Sequence, residues 1–381
     1  MTLSVARKTT LERPASAGTD TGQSANLDLL RSFAVLAVLS AHLCDALRID
    51  AFYYVGQTGV LLFFVHTSLV LLSSLRRLHA DGSGQVVRRF LIQRVFRIYP
   101  LYLAAIGFSL ALRVPWIDTL ALHPSASWLG WKWIAANLLL VQNLTFLPSV
   151  SSPMWSLPYE MQMYLALPAV YALTTREKPL RKLFLVALIA GAAALLQRAF
   201  LPLPYDGMHL PLTYFVPCFL GGAYAFVSAR KLRQKKSAIP PVALPLLLTA
   251  CAALFSIERR WPFDWVICTA LGFLLPRFTE LRNAGVRSIC HVIAKYSYGI
   301  YLWHWPLLWL WFRKIEGLPV PGRFLLFFAS LAVLCVGSYH ALEEPLIRVG
   351  RRIARPSTSR TLRPKPGSKA SWEKPSEDLA R

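Results

Sequence analysis

Charge is what this chain has least of: only 16% of its 381 residues are Asp, Glu, Lys or Arg, against about 25% in soluble domains. Acidic groups are the scarcer kind, 19 against 42 basic residues, for a net charge of +23. With 55% hydrophobic residues, so little water-facing surface excludes a soluble globular domain. The six cysteines (Cys44, Cys218, Cys251, Cys268, Cys290, Cys335) never fall in a C-x-x-C spacing, which removes the common zinc and redox motifs and leaves them as small buried hydrophobes. H-E-x-x-H, a phosphate-cradling glycine-rich loop and G-x-S-x-G are all missing, so the zinc-protease, P-loop and serine-hydrolase signatures are absent. The alternating short segments of a β-barrel are absent too. No basic-aromatic motif accompanies the positive charge, and nucleic acid is not an expected partner.

What the chain does have is apolar length. Runs at 27–47, 56–76, 92–113, 154–174, 182–200, 211–229, 240–256, 262–276, 293–313 and 322–342 approach the ~20 residues that cross a bilayer. The expected fold is all-α, a polytopic integral membrane helical bundle of about ten transmembrane helices. An eleventh run, 131–147, is shorter and holds Lys132, Asn137, Gln142 and Asn143. Basic clusters mark the cytoplasmic side. Those before residue 27 and at 77–91, 178–182, 230–236, 277–292 and beyond 346 share one side only if 131–147 does not cross. That places both termini in the cytoplasm and makes 131–147 interfacial or re-entrant. Eleven crossings would put either the early or the late clusters on the wrong face. Residues 1–26, rich in Ser, Thr, Ala and Gly with no apolar h-region, read as a disordered cytoplasmic lead. Residues 27–345 read as the membrane domain. Residues 346–381 read as a basic, disordered cytoplasmic tail that meets anionic headgroups.

Ionisable residues inside such runs are costly and point to function. Arg31 and His42 lie eleven positions apart in the first run, which returns to nearly the same helix face and separates them by roughly 16 Å. His42, in the outer third, suits a general base at neutral pH, or is an outer-end histidine meeting headgroups. Arg31 is either a fixed interior cation or a snorkelling side chain. Arg94 and Arg97, at i, i+3 on the third run, share a face. Paired guanidiniums there suit a phosphate-bearing ligand. Positive-inside flanking is the alternative, and it explains Arg97 less well because Ile98-Tyr99-Pro100 follows it directly.

Met154-Trp155-Ser156-Leu157-Pro158-Tyr159-Glu160 places a carboxylate at a depth expected to match His42. Glu160 would orient the imidazole or support its charged form, or serve as a structural hydrogen-bond partner. Gln162 and Tyr164 add polar groups beside it. Ser297-Tyr298-Gly299-Ile300-Tyr301-Leu302-Trp303-His304-Trp305-Pro306 sets a second histidine near mid-membrane between indoles, as a binding wall or a packed aromatic belt. His66 is a third interior histidine with no assigned role. Zinc held by His42, His66 and His304 is compatible with the residue types, but no metal is expected.

Together these pieces resemble the membrane-bound acyltransferase 3 family of integral O-acyltransferases, from Leu27 to Pro345. The motifs are Leu27-Asp28-Leu29-Leu30-Arg31, the Arg31-to-His42 spacing and Gly59-Val60-Leu61-Leu62-Phe63-Phe64-Val65. Arg94 with Arg97, Trp155 to Tyr164, Ser297 to His304, and Glu343-Glu344-Pro345 complete the set. Each is weak alone; in this order they are specific. Two departures stand out. His66-Thr67-Ser68-Leu69 replaces the frequent Leu-Ser-Gly-Phe, and Glu160-Met161 replaces a frequent Glu-Glu pair.

The resemblance implies an enzyme of the inner (cytoplasmic) membrane. It would move an acyl group, most simply acetyl, from cytoplasmic acyl-CoA to a hydroxyl of a glycan or lipid-linked saccharide. The roles it implies are His42 and Glu160 in catalysis and Arg31, Arg94 and Arg97 on the donor. Gln162, Tyr164, Trp303 and His304 would face the substrate. Some relatives carry a fused extracytoplasmic hydrolase-like domain. The polar stretch after Pro345 does not match one, so a separate extracytoplasmic partner is expected. The rival reading is a transporter or flippase using the same cavity, against which no paired half-sequence symmetry appears.

Overall fold

The computed structural model describes residues 24–49, 53–82, 84–114, 130–200, 210–232, 238–257 and 263–355. Within them the chain is helical, and the only pairing of extended backbone is an isolated bridge between Ile239 and Phe278. In a bilayer every backbone N–H and C=O must be satisfied internally, and a helix does this within one segment. The helices are α1 (Ala25–Ala46), α2 (Tyr53–Ala80), α3 (Val86–Leu112), α4 (Trp131–Leu138), α5 (Gln142–Thr145), α6 (Leu157–Thr175) and α7 (Pro179–Phe200). They continue as α8 (Leu212–Leu232), α9 (Ala243–Ile257), α10 (Phe263–Leu274), α11 (Ala284–Leu308), α12 (Val320–Ser338) and α13 (Glu344–Ile353).

Among the described residues six spans are long and apolar enough to cross a membrane: α1, α2, α3, α7, α8 and the continuous Val320–Ile353 run. α6 and α11, 19 and 25 residues long, have the length, but polar residues dilute their apolar character. α9 and α10, with 15 and 12 residues, rise only about 22 and 18 Å, short of the ~30 Å hydrocarbon core.

α2 is at the centre. It packs against α1 on one side and α8 on another, while α11 packs on α1, and α7 and α10 pack on α8. Close approach depends on missing side chains, as is usual where helices meet in membranes. A Cβ on Gly59 would lie 2.6 Å from the Ala34 carbonyl oxygen, and one on Gly222 would lie 2.3 Å from that of Val65. Phe64 then stacks on Phe219, ring centres 4.2 Å apart. The glycine and the phenylalanine of the second-helix block are therefore packing residues.

Run 131–147 folds as two short helices broken at Leu139–Val141. An eight-residue helix rises only about 12 Å. Its polar residues have internal partners. Asn137, fully buried, donates to the Trp133 and Pro148 carbonyls and accepts from the Val150 N–H. Asn143 exchanges two amide hydrogen bonds with Gln162.

One boundary differs from the sequence reading. The chain stays helical through Ile353, past residue 346, where the disordered tail was expected to start. The segment is held because Gly350 lets α13 lie against Phe96 of α3, where an added Cβ would come within 2.5 Å of the Phe96 Cβ. The lead before Ser24 and the tail from 356 on lie outside the described residues.

Candidate active site

α1 and α11 run parallel, and two of the polar contacts that join them form rungs at the site. The first is Arg31, whose Nε donates to the Ser297 hydroxyl at 2.6 Å, while that hydroxyl donates to the Ala294 carbonyl at 2.8 Å. The second is His42, whose Nδ1 lies 2.8 Å from Nε2 of His304. The rungs are roughly 16 Å apart along α1 and 10 Å along α11; the long arginine side chain absorbs the difference.

Around the first rung α1, α2, α3, α6 and α11 enclose a cavity of about 80 Å³ lined by Arg31, His66, Arg94, Arg97, Glu160, Tyr164 and Tyr298. A second cavity of about 60 Å³ shares Arg31, Thr67, Glu160 and Tyr298 with it and extends past Phe63 and Ser156 to Tyr301. Tyr301 in turn sits against His304, ring centres 6.2 Å apart. The two cavities therefore lead from the arginines to Tyr301, which borders the histidine pair.

The cavity's charges are unevenly matched. Arg97 pairs with Glu343, which is buried in the π-helical turn Tyr339–Glu343 joining α12 to α13. Glu160 accepts from the Tyr164 hydroxyl one turn along α6. Arg31 and Arg94 form no ion pair among the described residues. The Nε of Arg94 is buried with no hydrogen-bond partner; a buried donor left so costs about 1–3 kcal/mol. Three guanidiniums thus face two carboxylates, and the surplus suits an anion.

At the second rung His304 is fully buried and His42 half-buried. Trp305 meets the His42 ring edge-on, centres 5.0 Å apart at 72°, and its indole N–H is buried and unpartnered. Such a donor beside a base is available to a substrate oxygen.

The structure brings some expected residues together and separates others. Glu160 forms no ion pair with His42; it sits on the Arg31 rung. The reason is that the chain before α6 is already inside the bundle, with Ser151, Pro153, Met154 and Ser156 buried, so α6 begins at depth and not at the outer surface. Gln162 is engaged with Asn143 and Tyr164 with Glu160. Trp303 points away from His42, donating to Ser338 at 3.0 Å and packing on Phe108. Two positions along a helix turn the side chain by about 200°, so Trp305, on the far side from Trp303, takes the place beside the imidazole. His66 lines the arginine cavity, apart from the other two histidines. Among the described residues no three His, Cys, Asp or Glu side chains converge as metal ligands. Sequence reasoning gave no role to Ser297, Tyr298, Tyr301 or Glu343. The only signal for them was their place inside the Ser297–His304 and Glu-x-Pro blocks.

A family model described as an acyltransferase domain matches residues 24–340, the stretch that holds both rungs. The chain belongs to the acyltransferase 3 family. It is an acyltransferase with several apolar, membrane-length helices. Its relatives include ORF330 of Acidianus two-tailed virus, 27% identical over 72% of this chain and 80% of that protein. The exopolysaccharide production protein ExoZ of Rhizobium meliloti is 26% identical over 78% of this chain and 92% of its own length. The peptidoglycan O-acetyltransferase OatA of Listeria monocytogenes is 24% identical over 85% of this chain, which spans only 56% of OatA. No solved structure matches the chain.

Proposed function

We propose that this acyltransferase moves an acyl group, most simply acetyl, from cytoplasmic acyl-CoA to a hydroxyl of a glycan or lipid-linked saccharide on the outer side of the inner membrane. The observation that carries this reading is the pair of rungs on α1: an arginine in a cationic cavity, and a half-buried histidine roughly 16 Å farther along. A donor that is anionic at one end and reactive at the other needs these two sites. The buried, unpartnered Nε of Arg94 fits a phosphate oxygen, and Arg31 adds the second unpaired charge. Arg97 acts through Glu343, holding the wall of the cavity.

His42 takes the proton of the acceptor hydroxyl as its oxygen bonds to the acyl carbonyl carbon. The C–S bond breaks, and the departing sulfur receives that proton from His42. The Trp305 N–H faces the charge that develops on the carbonyl oxygen. A transient acyl-histidine fits the same residues. Glu160, bonded to Tyr164, balances the arginines instead of supporting the imidazolium. The relatives' roles in peptidoglycan O-acetylation and exopolysaccharide production support acetyl as the group and a glycan as the acceptor. Ten crossings with both termini cytoplasmic and 131–147 re-entrant remain the topology that puts every basic cluster on one side.

The test is mass spectrometry of surface glycans and glycolipids from cells lacking the protein, complemented with wild type or His42→Ala at matched membrane levels. An acyl-sized mass present only with wild type is expected. Rescue by His42→Ala would remove the imidazole from the mechanism, and three identical samples would refute a glycan acceptor.

A further inference from the structure

The histidine pair carries more information than proximity. Its ring planes differ by only 10°, and the 5.1 Å between centres matches two rings meeting edge to edge across the 2.8 Å Nδ1–Nε2 contact. On its other side, Nδ1 of His304 lies 2.9 Å from the Ile300 carbonyl oxygen, four residues back on α11. A carbonyl only accepts, so that nitrogen must carry a proton. In a neutral His304 the remaining nitrogen, Nε2, is then a bare acceptor. The atom facing it, Nδ1 of His42, must therefore be the donor. The chain of roles ends on Nε2 of His42, left with a free lone pair.

We infer that His304 is a positioning residue that fixes the proton of His42 on Nδ1 and so makes Nε2 the basic atom. Its place is the one a carboxylate takes behind a catalytic histidine, filled here by a neutral ring whose own tautomer is set by the helix backbone. A free imidazole side chain prefers its proton on Nε2, which would leave the wrong nitrogen bare. When Nε2 of His42 takes the proton of the acceptor hydroxyl, Nδ1 keeps its hydrogen bond to His304, and the imidazolium is held without a carboxylate beside it. The proton leaves from Nε2 to the departing sulfur, so His304 gains and loses nothing over a cycle. The tautomer assignment stands on the two contacts alone. Its catalytic consequence rests on His42 being the base.

The experiment uses the full chain in lipid nanodiscs with 15N-labelled histidine. Ring-nitrogen shifts separate protonated from bare nitrogens, and the His42 signals are those lost in His42→Gln. Wild type is expected to show His42 protonated on Nδ1 and bare on Nε2, and His304→Leu to return the proton to Nε2. In turnover assays His304→Leu should lose about 10²- to 10⁴-fold in kcat with KM for the acyl donor nearly unchanged. His304→Glu, an acceptor-only group, should recover at least about tenfold of that loss. It should also move the acidic limb of the kcat/KM profile to higher pH, because a carboxylate favours the imidazolium. A side chain with only a packing role would shift neither the limb nor the tautomer. A wild-type spectrum with His42 protonated on Nε2 overturns the inference, and this reading does not depend on whether His304→Leu or His304→Glu folds. The expected spectrum together with full turnover in His42→Gln would instead overturn the catalytic reading of His42 and leave the tautomer assignment standing.

Discussion

The Arg97–Glu343 pair separates two roles for Arg97. If its guanidinium neutralises Glu343, then Arg97→Met leaves a carboxylate that is only 2% exposed without its counter-charge. Removing one partner of a buried pair costs about 3–5 kcal/mol, whereas replacing both with neutral groups of similar volume is often nearly neutral. The pair joins α3 to the turn that leads into α13, with Phe96 seated on Gly350 beside it, so the cost should appear as lost attachment of α13. Arg97→Met and Glu343→Gln should each melt several degrees lower in nanodiscs and lose activity. The double variant should recover most of both, giving a coupling of about 3 kcal/mol in a double-mutant cycle. Melting temperature and KM for acyl-CoA would be measured on all four proteins. If Arg97 instead contacts donor phosphate directly, Arg97→Met would raise KM and Glu343→Gln would not reverse it. Additive effects on KM, with no coupling in stability, would refute the assignment of Arg97 to Glu343.

Other outcomes follow from the same geometry. Arg94→Gln should raise KM for an anionic acyl donor by about tenfold or more, consistent with losing a charged hydrogen bond worth about 1.5–3 kcal/mol, with little change in kcat; steady-state kinetics at varied donor concentration checks this. Ser297→Ala removes the hydroxyl bonded to Arg31 and should cost a smaller loss of about 0.5–1.5 kcal/mol, read in the same assay. Gly222→Leu must separate α2 from α8, since even a Cβ there would overlap the Val65 carbonyl; folded yield should fall sharply, as seen by size-exclusion of the solubilised protein.

The parts of the site legible in the sequence lie within single helices. The 3.6-residue repeat and ~1.5 Å rise are enough to place Arg31 and His42 on one face of α1 at two depths, and to put Arg94 and Arg97 side by side. Apolar run length marked ten helical segments, of which six among the described residues are long and apolar enough to cross a membrane, and the polar residues of 131–147 marked it as unlike the rest. Motif order pointed to the family before any coordinates.

What the sequence could not decide was who meets whom across helices. His42 was expected beside Glu160, because both lie near helix ends that a topology diagram draws at the same surface. The buried approach of residues 151–156 starts α6 deeper than that, which puts Glu160 with Arg31 and leaves His304 to face His42. Likewise Arg97 reads as a free phosphate ligand until α13 folds back and sets Glu343 against it. These are choices of register between helices, made by close-packed glycines and buried rings far from the reacting atoms. Helix periodicity determines which residues share a face and how far apart they stand; only packing determines which face of another helix they find there.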